Sequence, residues 1–167
     1  MNRGDARYLL KHLFEEALDR GNVLEHILLF RTSQFDPNDP HYTSVFARQS
    51  FSTIIPHLKW VDSTRRSAIG LDRAGDVAAY ITGLQLQQGD ILFLEDIHLL
   101  PEPCSAFLSE LMDNYAIRIK IGKPPNNKEL SLPLAQFTII GATDRPHLLT
   151  QQLRKSFKRQ ILIDETQ

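Results

Sequence analysis

Glycine is missing where an α/β fold that handles nucleotides needs it. None occurs from Asn22 to Ile69, so the apolar run Leu24-Glu25-His26-Ile27-Leu28-Leu29-Phe30 cannot open into a glycine-rich phosphate loop. The segment that follows, Arg31-Thr32-Ser33-Gln34-Phe35-Asp36-Pro37-Asn38-Asp39-Pro40, also lacks lysine and any G-x-x-x-x-G-K-[ST] pattern. In such a loop the glycines let backbone N–H groups converge on phosphate, and the lysine neutralises its charge. Here the charges after the strand are Arg31, Asp36 and Asp39, and two aspartates repel a polyphosphate. Gly122-Lys123 is followed by Pro124 and does not restore the pattern. Cysteine is almost absent as well. The lone Cys104 excludes an intrachain disulfide and suits a reducing compartment. No stretch approaches the ~20 apolar residues of a membrane span. Arg3, Asp5, Arg7 and Lys11 alternate in sign where a signal peptide needs an apolar run. The expectation is a soluble, cytoplasmic chain. An excess of one charge is missing too: the net charge is −1 and the pI about 6.6, which leaves no global basic field for nucleic acid or an anionic membrane.

What is present is a chain of 167 residues, 42% hydrophobic and 23% charged, enough for one globular domain over 1–167 with a real core. Leu9, Leu10, Leu13, Phe14 and Leu18 recur at helical spacing across 5–20, and Gly21 is placed to stop that helix. A strand is expected over 25–30 and turn chemistry over 31–40. A helix follows from Tyr42 to about Ile55, ended by Pro56, then a strand near Leu58–Asp62. Further helices are expected over 73–82, 105–114 and 147–156, with strands ending at Glu95, over 137–141 and over 160–163. Ile117-Arg118-Ile119-Lys120-Ile121 alternates with period two, as does Leu130-Ser131-Leu132-Pro133-Leu134 less cleanly, and a polar, Pro-rich connection makes them a hairpin. Five short apolar strands separated by helices imply an α/β fold whose parallel sheet is covered on both faces.

The residues with chemistry cluster at strand ends. Ile91-Leu92-Phe93-Leu94-Glu95-Asp96 and Phe137-Thr138-Ile139-Ile140-Gly141-Ala142-Thr143-Asp144 are buried-strand patterns with acidic tips. In parallel α/β sheets ligands sit beyond the carboxyl ends of the strands. Glu95 and Asp96 could orient Mg²⁺ and polarise a water. Without a phosphate loop the reading preferred is that they cap the following helix. Asp36, Asp39 and His41 fit no firm metal-ligand spacing, and Asp-Pro steps are ordinary turn formers. Lys155, Lys158 and Arg159 read as a solvated helix end before they read as a phosphate site. From Ala74 to Ile117 there are seven acidic residues and no Lys or Arg. The hairpin then carries Arg118, Lys120, Lys123 and Lys128.

Three stretches resemble RuvB, the AAA+ motor of Holliday-junction branch migration. They are Ala74-Gly75-Asp76-Val77-Ala78-Ala79-Tyr80-Ile81-Thr82-Gly83-Leu84, then Gly89 through His98, and Leu134 through Arg145 continuing by Leu148-Leu149-Thr150 to Leu153-Arg154. The run 24–30 is similar to the strand before that family's Walker A loop. The resemblance implies a AAA+ large subdomain: a five-stranded parallel sheet between helices with an inserted β-hairpin, without the lid and winged-helix domains. It also implies that the hairpin at 117–134 is the element that docks the junction-binding partner RuvA. The departures fall on the catalytic positions. Walker A is gone, and the Walker B carboxylates stand in swapped order as Glu95 then Asp96. The sensor position is the anion Asp144 in place of a neutral hydroxyl, and the arginine-finger position is Ser156. No residue is therefore expected to be catalytic, and neither ATP nor Mg²⁺ is expected as cofactor.

The expected function is that of a non-catalytic RuvB-like pseudo-ATPase, a protein-binding or regulatory subunit with a RuvA-like or RuvB-like partner. The expected partner surface is Ile117, Ile119, Ile121, Lys123, Leu130 and Leu132, an apolar strip with a basic rim. No direct nucleic-acid binding is expected, and the oligomeric state is open. Two other readings stand beside it: an oligomeric scaffold for an unrelated process, and a residual ATP-binding AAA+ enzyme.

Overall fold

The computed structural model describes residues 3–32, 38, 42–54 and 71–163. In chain order its elements are α1 (Arg3–Arg20), β1 (Ile27–Phe30), α2 (Tyr42–Ile54), α3 (Ala74–Gly83), β2 (Ile91–Leu94), α4 (Glu102–Asn114), β3 (Ala116–Ile121), β4 (Lys128–Pro133), β5 (Thr138–Thr143), α5 (Gln151–Ser156) and β6 (Arg159–Leu162). Short 3₁₀ turns at Ile97–Leu99 and Pro146–Leu148 follow β2 and β5.

The main sheet has four parallel strands in the order β2-β5-β1-β6 among the described residues. The fifth strand expected near Leu58–Asp62 falls outside them. Successive side chains of β1 enter opposite faces of the sheet. Ile27 and Leu29 join Leu10, Phe14, Phe46 and Phe51 on the face covered by α1 and α2. Leu28 joins Val77, Ile81, Leu108, Leu111 and Leu153 on the face covered by α3, α4 and α5. A strand of period two buried on both faces must be apolar throughout, which is why β1 reads Ile-Leu-Leu-Phe. Gly141 lies in β5 opposite Leu28 and Leu94. A Cβ there would come within 2.8 Å of Ile97 Cδ1 and 2.9 Å of Phe157 Cζ, so only glycine admits both side chains over the strand.

Helix ends follow local chemistry. α1 stops where expected: Gly21 has φ +62°, the Gly21 N–H donates to the Leu18 carbonyl at 3.1 Å and the Asn22 N–H to the Ala17 carbonyl at 3.0 Å. That is the paired closure of a Schellman motif. Leu18, expected on the buried stripe, is instead 78% exposed. The single helix expected over 147–156 divides into the 3₁₀ turn and α5, because Thr150 takes the N-cap and its hydroxyl accepts the Leu153 N–H at 3.2 Å.

At the amino-terminal edge of the sheet His26 is buried between β5 and α4. Its Nδ1 accepts the Ile139 N–H at 2.9 Å, so Nε2 carries the proton and donates to the Met112 carbonyl at 3.2 Å. Burial pushes its pKa below the ordinary 6.5, against the opposing pull of the Met112 carbonyl and Asp113.

Candidate functional site

The carboxyl ends of β1, β5 and β2 stand side by side, and the amino-terminus of α2 faces them. β1 runs directly into Arg31, and β5 into Asp144. Because β1 and β5 are adjacent and in register through Phe30 and Thr143, the next residue of each strand meets the other. Arg31 Nε lies 3.2 Å from Asp144 Oδ1, with the two side chains 3% and 1% exposed. The guanidinium also stacks over the Tyr42 ring, 4.8 Å from its centroid. Thr43, the second residue of α2, closes the knot: its N–H donates to Asp144 Oδ1 at 3.1 Å, and its hydroxyl donates to the same oxygen. The other carboxylate oxygen, Oδ2, is buried and has no hydrogen-bond partner among the described residues.

The backbone N–H groups of a helix's first turn have no partner within the helix, and its dipole favours an anion there. α2 has no acidic residue in its own first turn. Asp144 meets that demand from across the sheet. A guanidinium, a hydroxyl and a helix N–H converging on one point are the donors that a bound phosphate oxygen would use. In this chain a carboxylate accepts from the helix N–H and the hydroxyl and pairs with the guanidinium.

The β2 tip differs from expectation. Asp96 stands in the N-cap position of the 3₁₀ turn with φ 48°, but its side chain makes no capping hydrogen bond. Its carbonyl serves the turn, accepting the Leu99 N–H at 2.9 Å. Glu95 reaches across the site instead. It forms an ion pair with Arg48 of α2, which ties the β2 tip to the helix opposite. Between the two acidic tips, His98 Nδ1 lies 2.8 Å from the Thr143 hydroxyl, whose oxygen also accepts the Arg145 N–H at 3.0 Å. Ser156 lies away from these tips, buried where α5 meets α4, its Oγ 2.6 Å from Ser109 Oγ. Asp36, Asp39 and His41 fall outside the described residues.

The hairpin is the second candidate. β3 and β4 form their own two-stranded sheet, pairing Ile117 with Leu132, Ile119 with Leu130 and Ile121 with Lys128. These six therefore share one face. Its root is part of the core, since Ile117 is 1% exposed and packs with the cluster that includes Leu108 and Leu111. Ile117 is thereby withdrawn from the expected partner surface. Beyond it the face is open: Ile119, Ile121, Leu130 and Leu132 are 37%, 55%, 44% and 39% exposed. Arg118, on the opposite face, pairs with Glu110 of α4 at 3.3 Å. Lys123 and Lys128 sit exposed near the tip.

Sequence reasoning pointed to Asp144, Glu95 and Asp96 but not to Thr43 or Arg48, the partners that settle what two of those carboxylates do. No local pattern marks Thr43 or Arg48. The sign of Arg31 against Asp144 was the one available hint.

The parallel α/β sheet with polar side chains at its strand tips and an inserted hairpin matches a AAA+ domain of the P-loop NTPase fold. The family of the P-loop domain of the Holliday junction DNA helicase RuvB matches residues 3–162, and the chain belongs to it. Among solved structures, a single-residue variant of Thermotoga maritima RuvB is 27% identical with a TM-score of 0.68, covering 97% of this chain and 46% of that one. The Thermotoga maritima RuvB Holliday junction branch migration motor is 25% identical with a TM-score of 0.66, covering 96% and 45%. A DNA polymerase III gamma subunit-related protein from Thermotoga maritima shares the fold at 12% identity and a TM-score of 0.54, covering 96% and 46%. The chain thus spans just under half the length of the solved structures it matches. Among the described residues no helix is long and apolar enough to cross a membrane.

Proposed function

We propose that this chain is a non-catalytic member of the RuvB family that acts by binding a protein partner through the outer face of its β3–β4 hairpin. The observation that carries the first half is Asp144: an anion of the protein's own accepts the α2 N–H that a phosphate would need. The segment after β1 offers neither glycine nor lysine to build another cradle. The second half rests on the four aliphatic side chains left open on one face of a two-stranded sheet, a surface that water disfavours and that a partner could cover. The partner class this family membership suggests is a RuvA-like protein or a RuvB-like motor whose activity the chain would modulate.

Calorimetric titration of the protein with ATP–Mg tests the first half. Affinity weaker than about 1 mM, or ~4 kcal/mol, and no turnover are expected. Saturable micromolar binding that disappears on mutating Glu95 or Asp144 would return the chain to the class of ATP-binding enzymes. Co-purification with a RuvA-like or RuvB-like protein tests the second half.

A further inference from the structure

We propose that the buried His26 ring is the latch that seats the β3–β4 hairpin on the sheet, and that a proton taken up by this ring opens the hairpin root while the sheet stays closed. The consequence rests on the reading of the hairpin as the partner-binding element, since a root that opens in acid releases whatever its outer face holds.

Both ends of the hairpin converge on this ring. Tyr115, between α4 and β3, lies with its ring centroid 5.5 Å from that of His26. Phe137, between β4 and β5, meets the imidazole edge-on at 6.5 Å. The two aromatic rings also touch each other at 6.1 Å, and the Leu134 N–H donates to the Tyr115 carbonyl at 2.8 Å. The ring must be neutral to sit there. Nδ1 accepts the Ile139 N–H at 2.9 Å, while Nε2 donates to the Met112 carbonyl at 3.2 Å. In the imidazolium both nitrogens are donors, so a proton on Nδ1 faces the Ile139 N–H and that bond is lost.

The surroundings decide which side yields. Ile139 belongs to β5, which is paired with β1 on one side and β2 on the other and is buried along its whole length. β3 and β4 pair only with each other among the described residues. The charged ring therefore leaves through the hairpin root, towards the exposed Asp113 of α4. Burial, the largest influence, holds the pKa of the seated ring below the ordinary 6.5; the Met112 carbonyl and Asp113 pull it up, and Lys158 adds to the depression. Tyr115 is itself neutral, its pKa raised by burial and by Glu25, and Glu25 pairs with Arg159 at 2.9 Å. β5 brings no titratable side chain to the ring. With the root open the ring regains water and its ordinary pKa, so it binds a proton more readily than the seated ring, and acid favours the open root.

Hydrogen exchange of the native protein, followed by NMR between about pH 7 and pH 5, tests this. After correction for the intrinsic pH dependence of exchange, the Tyr115, Leu134 and Ile139 amides are expected to be less protected than those of β1. Their protection is expected to fall by up to about tenfold per pH unit, the limit for one linked proton. In His26→Gln, whose side chain offers an acceptor and a donor but does not titrate, that slope is expected to vanish. Root amides as well protected as β1 overturn the proposal, because the hairpin then opens only with the whole fold. A flat profile in wild type overturns it, as does a slope that persists in His26→Gln. Asp113→Asn, at an exposed position, is the second variant should His26→Gln fail to fold. Removing the carboxylate that favours the charged ring is expected to move the fall in protection to lower pH, and an unmoved profile overturns the proposal. The pull-down with Ile119→Asp at neutral pH is read separately. A partner retained there defeats the binding surface and leaves the latch standing, whereas a flat exchange profile defeats only the latch.

Discussion

At the scale of single residues, two positions tie chemistry to stability in ways that can be measured. His26 is neutral and doubly hydrogen-bonded in the fold, with its pKa held below 6.5 by burial. Above that value the ring is neutral in both folded and unfolded chains, and its contribution is complete. As the pH falls below it, the unfolded chain takes up a proton that the folded chain resists, so stability drops towards the folded pKa. Urea denaturation between about pH 7 and pH 5 should show this loss in wild type and a shallower one in His26→Gln. The variant should also be weaker by about 1–3 kcal/mol at neutral pH. Equal slopes would mean that the other histidines carry the effect. Gly141 is the second position. Because its Cβ would stand 2.8 Å from Ile97 and 2.9 Å from Phe157, Gly141→Ala should lower the unfolding free energy by about 1–3 kcal/mol. An unchanged urea midpoint would show that the two side chains move aside without cost. Neither His26's partners nor the crowding at Gly141 could be read from the sequence, because they come from residues as far away as 113 positions.

At the scale of elements, the hairpin is where local pattern and tertiary packing part company. Alternation over 117–121 and 130–134 was enough to place two strands and to put the isoleucines on one face, and β3 and β4 have that pairing. How far the domain covers the face depends on where α4 ends. Tyr115 closes α4 in the left-handed region with its N–H on the Leu111 carbonyl at 2.8 Å, and the Leu134 N–H returns to the Tyr115 carbonyl at 2.8 Å. This root buries Ile117 and projects Ile119, Ile121, Leu130 and Leu132 outward. Two substitutions of the same kind should therefore behave differently. Ile119→Asp removes one cross-strand pair with Leu130 and should cost the fold only about 0.5–1 kcal/mol, while abolishing capture of a RuvA-like or RuvB-like partner in a pull-down. Ile117→Asp buries a charge and should unfold the domain. If Ile119→Asp retains every partner with its melting temperature intact, the hairpin is not the interface. The turn after β5 gives the opposite lesson. The helix expected over 147–156 is interrupted because Thr150 takes the N-cap, where its hydroxyl accepts the Leu153 N–H.

At the scale of the whole molecule, 19 Lys and Arg are balanced by 20 Asp and Glu, which leaves no net basic field for phosphates, and some of the cations are engaged internally: Arg31 with Asp144, Arg48 with Glu95, Arg118 with Glu110 and Arg159 with Glu25. The isolated protein should therefore give no mobility shift with duplex or junction DNA at physiological salt. A shift at low micromolar protein that fades steeply as salt rises would contradict this. The sequence by itself determined the class of fold, because a strand buried on both faces must be apolar in every position and a helix packed on one face cannot be. It also determined that no glycine-rich cradle follows β1, since that structure needs particular residue types at particular places. What only the tertiary structure decided is which charges meet. Thr43 and Asp144 are 101 residues apart, and Arg31 faces Asp144 only because β5 lies next to β1 in the order β2-β5-β1-β6. Periodicity records whether a segment is a strand, but the order of strands is set by crossovers and packing summed over the whole chain. For that reason the sequence could name Asp144 as a misplaced anion, and only the fold could supply the helix end and the guanidinium that hold it.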